Sequence, residues 1–323
     1  MREVRAKEVR MGDTVGAFAR ASYSCSVHLP EPPYPDPTVY AIPFFLVTLV
    51  GEMWLMRRWR REGRRVQGYE RKDTLASLGM GVGSLVVVGV INLATFMLAT
   101  WLYQHRIATL GEGVLGWAVA LVGWDFSFYW HHRVEHENRL LWACHVNHHS
   151  SQHYNLSTAL RQPWTPFPTI LFYAPWALLG VAPWMIMVSG GLNLVYQYWI
   201  HTEGISRMPR WFEAVLNTPS HHRVHHASNP EYLDKNYAGV LIIWDRIFGT
   251  YEEERAPVVF GLTKNIATFN LFWIAFHEYA AIVRDVRRAK GLRERVGIMW
   301  HGPAWTAPSL LAEKTERARA GSR

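Results

Sequence analysis

The sequence predicts an all-α integral membrane protein with about four to five transmembrane helices and a cytoplasmic helical cap that carries a histidine-rich site for two metal ions. Three observations lead there: long uncharged apolar stretches, basic residues massed at one end of them, and twelve of sixteen histidines confined to the 96 residues 131–226. With 49% hydrophobic and 19% charged residues among 323, the chain is not disordered. A mean hydropathy of −0.07 hides the segregation, because residues 75–103 hold no charged side chain in 29 positions.

In chain order, residues 1–38 form a lead-in that opens MREVRAKEVR and turns proline-rich at 31–37. No apolar run precedes residue 39, so no removable signal is expected and the first span is retained. Apolar stretches follow at 39–56, 75–103 and 113–130, and a 38-residue uncharged run at 163–200 is divided at 180–183 into an expected helical hairpin. Each half, about 18 residues, would reach roughly 27 Å as a helix, enough for a thin bilayer. The membrane domain is therefore placed at 39–283, with a basic C-terminal tail at 284–323 whose last nine residues are expected to fray.

Charge sets the orientation. Arg57, Arg58, Arg60, Arg61, Arg64, Arg65, Arg71 and Lys72 follow the first stretch, whereas the 104–112 link holds only Arg106 and the 180–183 link no cation. The 57–72 loop is therefore cytoplasmic, the N-terminus lies outside, and the ends of the third and fifth spans and everything from His201 onward face the cytoplasm. The net charge of +8 thus flanks apolar spans, which disfavours nucleic acid as a partner. Arginines outnumber lysines 28 to 6 and the chain ends ARAGSR without a retention signal, so a bacterial plasma membrane is expected. Cys25 and Cys144 are too few for a disulfide framework or a thiolate zinc site.

The histidines fall into boxes. HHRVEH places His132 and His136 four apart, HVNHH holds His145, His148 and His149, and HHRVHH holds His222, His225 and His226. Residues at i, i+3 and i+4 of a helix share one face, so two or three imidazoles of each box can converge on one ion. Eight neutral nitrogens exceed one tetrahedral zinc and suit two transition-metal ions with room for oxygen or water. All boxes lie at the cytoplasmic ends of spans and share one level. These eight are the candidate catalytic and metal-binding residues. His201, delivered by an uncharged helix to the same interface, is added to the metal set, with Glu203 placed to orient it. His131 and His221, about 100° from their neighbours, are expected behind the ligand face. His153 reads as a surface residue, His28, His105, His277 and His301 as structural, and Cys144 as a packed apolar residue.

Two acids sit inside spans, where an ionised carboxylate costs about 2.5 to 3.5 kcal/mol, so Glu52 and Asp125 need partners or protons. Asp125 either accepts from the free N–H of a metal-binding imidazole or pairs with arginine or water near the interface. Rival classes are a haem-binding electron carrier and a metal transporter. Haem needs only two axial ligands, and a transporter would place its polar groups near mid-membrane rather than at the ends of spans.

At these residues a family resemblance enters. WHHRVEHENRLLWACHVNHHSSQHYNLSTALRQ, QYWIHTE and LNTPSHHRVHHASNPEYLDKNYAGVLIIWDRIFGTY cover much of residues 125–251 and resemble the fatty acid hydroxylase/sterol desaturase superfamily of membrane di-iron oxygenases. QYWIHTE and DKNYAGVLIIWDRIFGT are most similar to its sterol-desaturase-like, alkylglycerol-monooxygenase-like branch. The resemblance implies two iron ions per chain on His132, His136, His145, His148, His149, His222, His225 and His226, and dioxygen as co-substrate. It implies hydroxylation or desaturation of a C–H bond in a lipid: a sterol, a fatty acyl chain or an ether lipid. It also implies an external electron donor, a separate protein of cytochrome b5 or ferredoxin type, because no fused cytochrome domain is visible. At His153 the family is expected to carry a small, polar or acidic residue.

Overall fold

A computed structural model describes residues 36–321. Cys25, His28 and most of the lead-in lie outside the described residues. The secondary structure is helical, with no strand among the described residues and two isolated bridges, Leu216 to Leu241 and Ala227 to Phe260.

Four helices build the frame: α1 (Pro37–Arg61), α2 (Arg71–Gln104), α3 (Val114–Glu137) and α4 (Arg139–His149). Short elements follow, α5 (Leu156–Ala159), α6 (Thr169–Tyr173) and a 3₁₀ turn Ala174–Leu179, then α7 (Pro183–Ile200), α8 (Arg210–Val215), α9 (Pro219–His225) and α10 (Ile243–Ile247). The chain closes with α11 (Leu271–Arg288), α12 (Leu292–Trp300) and α13 (Pro308–Gly321). α11 runs across residue 284, and α13 is helical through most of the segment expected to fray.

α1 and α2 are long and apolar enough to cross a membrane. Their outer faces carry uncovered aliphatic side chains, with Val47 73% and Val86 76% exposed, as lipid-facing surface requires. α3 and α7 are instead packed from several sides: Ala120 and Tyr129 of α3 and Trp184, Met185 and Ile186 of α7 are buried.

The expected hairpin at 163–200 is corrected in its first half. Helix occupies only residues 169–179 there, part of it 3₁₀. Trp164 donates from Nε1 to the Met80 carbonyl, while the Leu178 carbonyl accepts from Ile107 N–H at 2.8 Å. Between Met80 and Gln104, α2 rises about 36 Å, whereas the fourteen steps from Trp164 to Leu178 would rise only about 21 Å as α-helix. The chain must be stretched, and Pro163, Pro166 and Pro168 stretch it by removing donors and forcing extended neighbours. Gly180 ends the segment at φ 93°, its Cα so close to the Ala108 carbonyl that a Cβ would lie 2.4 Å from that oxygen.

The two acids inside apolar helices serve as joints. Asp125 accepts from Val240 N–H (2.8 Å), Leu241 N–H (3.0 Å), Trp244 Nε1 (2.9 Å) and Asn193 Nδ2 (2.8 Å), tying α3 to α7 and to the segment entering α10. Its protein partners are thus two backbone N–H groups, an indole and an amide, neither an imidazole nor an arginine as the sequence readings expect. Glu52 accepts from the Leu156 N–H and from the hydroxyls of Tyr69 and Thr202, joining α1 to α5 and to the chain after α7. Asp125→Ala would strand four donors, one buried and three part-buried. A loss of about 3 to 5 kcal/mol is expected, read as a fall of several degrees in the melting midpoint of detergent-solubilised protein. An unchanged midpoint would show that the joint carries no weight.

Candidate metal centre

One residue brings the first two boxes together. Asn138 separates α3 from α4 in extended conformation (φ −127°, ψ 121°) and caps α4 by accepting from Leu141 N–H at 3.1 Å. The chain reverses so abruptly there that His132 and His136 on α3 face His145 and His149 on α4. Pro219, in the first turn of α9, opens the helix that carries the third box.

Nine histidines converge in two groups. His132, His136, His145, His149 and His225 form one, and His148, His201, His222 and His226 the other, with the nearest nitrogens of each group within 4.8 Å of one another. The two HxxHH boxes divide reciprocally. The i, i+4 pair His145 and His149 joins the first group while His148 turns to the second; the pair His222 and His226 joins the second while His225 turns to the first. His201, whose place the sequence leaves open, completes the second group at the C-terminus of α7.

Backbone carbonyls set the tautomers. His132, His148, His201 and His225 each donate from Nδ1, to Tyr237 O (2.7 Å), Arg161 O (3.3 Å), Gln197 O (2.7 Å) and Lys235 O (3.0 Å). A carbonyl can only accept, so each Nδ1 carries the hydrogen and each Nε2 is bare. Burial, aided by neighbouring imidazoles, holds His145, His148, His149, His222, His225 and His226 well below the usual histidine range and pushes His201 down to about 4.

These facts test the centre for a metal. His148 Nε2 and His201 Nε2 stand 3.2 Å apart, and both are bare, so no hydrogen bridges them. His201 and His222 Nε2 are 2.9 Å apart, His132 and His145 Nε2 3.0 Å, and His149 and His225 Nε2 3.1 Å. His136 Nε2 is buried without a hydrogen bond. Lone pairs crowded in a dry site repel unless a cation lies among them. Metal–imidazole bonds of about 2.1 Å place neighbouring nitrogens about 3.0 to 3.4 Å apart, so the donor set fits transition-metal ions.

Several supports escape sequence reasoning. Glu135 on α3 lies 3.3 Å from His131 Nε2 through one oxygen and 3.5 Å from His145 Nδ1 through the other, behind the first group. Its signal is the acid four residues after His131 within HHRVEH. Arg161, fully buried, binds Asp73 at 2.6 Å, Ser150 Oγ at 2.9 Å and Ser77 Oγ at 3.1 Å, and its own carbonyl orients His148. His131 also meets the Tyr173 hydroxyl at 3.1 Å and joins neither group. His221, His153, His105, His277 and His301 also stay outside both groups. Glu203 does not orient His201; it accepts from Gln67 and Gly68 N–H. Cys144 contacts Tyr279 rather than the centre, and burial pushes its thiol up to about 12.

The comparisons converge on these residues. The family described as fatty acid hydroxylase matches residues 117–250, a stretch that holds all nine histidines. Residues 117–250 carry a fatty acid hydroxylase domain. It is 39% identical over 273 residues to an alkylglycerol monooxygenase of Danio rerio, covering 82% of this chain and 59% of that protein. To the alkylglycerol monooxygenase of Homo sapiens it is 40% identical over 276 residues, covering 84% and 60%. An ornithine lipid hydroxylase of Rhizobium tropici is 28% identical over 165 residues, covering 48% and 46%. The chain thus spans about three-fifths of the animal relatives' length. No solved structure matches.

Glu135→Ala removes the carboxylate behind His145 without removing any histidine of either group. Metal affinity is expected to fall about 10 to 100-fold, measured by competition with a chromophoric chelator. Affinity equal to the parent's would assign Glu135 to packing alone.

Proposed function

We propose that this chain is a membrane-bound, dioxygen-dependent di-iron oxidoreductase that hydroxylates a C–H bond of a lipid. The observation that carries the reading is the pair of histidine groups whose ring nitrogens face one another, four of them with Nε2 left bare by backbone carbonyls. The family match supports oxygenase chemistry, and the names of the relatives support a lipid substrate. Relatives at 38–41% identity are alkylglycerol monooxygenases, whereas those at 26–28% are an ornithine lipid hydroxylase and lathosterol oxidases. A glycerol lipid carrying an alkyl chain is therefore preferred to a sterol, and hydroxylation to desaturation.

We assign His132, His136, His145, His149 and His225 to one iron and His148, His201, His222 and His226 to the other. Iron bound there supplies the one-electron chemistry with dioxygen that an unactivated C–H bond demands. The chain's own residues do the rest. Their depressed proton affinities keep the imidazoles neutral, and so available as donors, at physiological pH. Carbonyls of Tyr237, Arg161, Gln197 and Lys235 hold the rings in register. Trp142, 4.8 Å from the His136 ring, and Tyr154, stacked 5.7 Å from His201, wall the centre against water. Electrons come from a separate carrier protein. We place the centre on the cytoplasmic face, in keeping with the basic 57–72 loop, and the chain in a plasma membrane of bacterial type. A haem carrier or transporter finds no support in nine histidines split between two groups.

Elemental analysis of purified, iron-reconstituted protein tests the reading. Two ions per chain are expected. Because the groups are separate, His145→Ala should lower the count toward one through the first group and His226→Ala through the second, and the double variant toward none. Each should abolish conversion of an alkylglycerol to its oxygenated product, a loss of at least about 100-fold. One ion or fewer in fully active parent protein would overturn the dinuclear assignment, and chelation that leaves turnover intact would overturn the metal.

A further inference from the structure

Away from the histidine centre, α11 leaves an apolar face uncovered. One side of the helix is seated, with Ile274 and Ala275 packed in a cluster with Ala76 and Met80 of α2, and Ile282 beside Ala143 of α4. The other side exposes Phe272 (70%), Trp273 (50%), Phe276 (40%) and Val283 (48%). Toward its C-terminus the exposed strip turns basic at Arg284, Arg287 and Arg288, the first and last of which also reach Asp285 and Glu313.

The contact with α2 sets the depth of this face. Leu271 packs on Gly79 so closely that a Cβ there would lie 2.8 Å from Leu271 Cδ1. Gly79 is four residues, about 6 Å, inside the charge-free stretch of α2 that begins at Leu75. Trp164, bonded to Met80 O, meets Phe272 edge-on at 5.4 Å and lies 6.3 Å from Phe276. An aromatic group thus stands one turn below the boundary between Lys72 and the apolar run. Leu75 and Val82, one turn to either side of Gly79 on α2, are also exposed. Aromatic side chains at that depth, followed by arginines, form the gradient that fits the acyl–headgroup boundary of a bilayer.

We propose that the exposed face of α11 is an interfacial membrane surface: Phe272, Trp273 and Phe276 enter the acyl boundary and Arg284, Arg287 and Arg288 meet anionic headgroups. The inference rests on the reading of α2 as a membrane span. Through Arg139, which binds Glu278 at 2.7 Å and Asp285 at 2.9 Å, the same helix is bolted to α4 and its three histidines. The bilayer surface thereby becomes one wall of the scaffold that holds the centre.

The test uses the full chain with Cys25→Ser, leaving the buried Cys144 in place. It is reconstituted into vesicles of phosphatidylcholine and phosphatidylglycerol in a three-to-one ratio (about 3:1). Single cysteines at Phe272, Phe276, Arg287 and Val86 carry an environment-sensitive fluorophore, corrected for labelling of the parent. A nitroxide on lipid carbon five, just below the headgroup, should quench the labels at 272 and 276 several-fold more than aqueous iodide does, with the reverse at 287. Labels at 272 and 276 quenched by iodide as readily as at 287, with Val86 shielded, would overturn the interfacial helix and leave the membrane span standing. Iodide quenching at Val86 as well would overturn the span and the inference with it.

Discussion

The described fold answers to one constraint: nine neutral imidazoles must be held together with their ring nitrogens facing, and four of them are fixed with Nε2 bare. Such a cluster repels itself when empty and is stabilised only by a cation, so the fold must impose what the side chains would not choose. It does so with four backbone carbonyls drawn from three separate places, after α9 (Lys235, Tyr237), before α6 (Arg161) and at the end of α7 (Gln197). A carbonyl is a fixed, uncharged acceptor. It selects the tautomer without bringing a second charge that would compete with the metal.

The same economy governs the acids. Asp125 and Glu52 stand in apolar helices, where a carboxylate is expensive, and each is surrounded by donors from segments remote in sequence. Their cost is offset by fixing loops that would otherwise be free: Asp125 holds the 240–244 segment beside α3, and Glu52 holds Leu156 and Thr202 near His153 and His201. Position within the membrane frame thus becomes position at the centre.

The histidine boxes were legible because their spacing is local. An i, i+4 pair shares a helix face whatever the tertiary structure, so His145 with His149 and His222 with His226 followed from period alone. The reciprocal crossing of His148 and His225 did not, since it depends on how α4 and α9 face each other. His201 could be brought to the right level but not to a group, because its helix end fixes height and not rotation. The partners of Asp125 lie 68 to 119 residues away, beyond any periodic signal. The first half of the 163–200 run carries its break in Pro163, Pro166 and Pro168, which its uncharged composition alone does not reveal. Glu203 shows the reverse error, a neighbour in sequence whose carboxylate turns to another loop.

The family match covers residues 117–250 and contains every histidine of both groups, yet the centre is not self-contained within it. Asp73 on α2 anchors Arg161, whose carbonyl orients His148. Glu52 on α1 braces the chain at Thr202, next to His201. Glu278 and Asp285 on α11 seize Arg139 at the first residue of α4. The donor atoms are therefore encoded in one stretch, while their rigidity is delegated to helices on either side of it. Loss of such a brace should loosen the geometry of one group without removing a donor. The flanking helices are therefore part of the histidine centre in physical terms, although the histidine spacing that identifies it stops short of them.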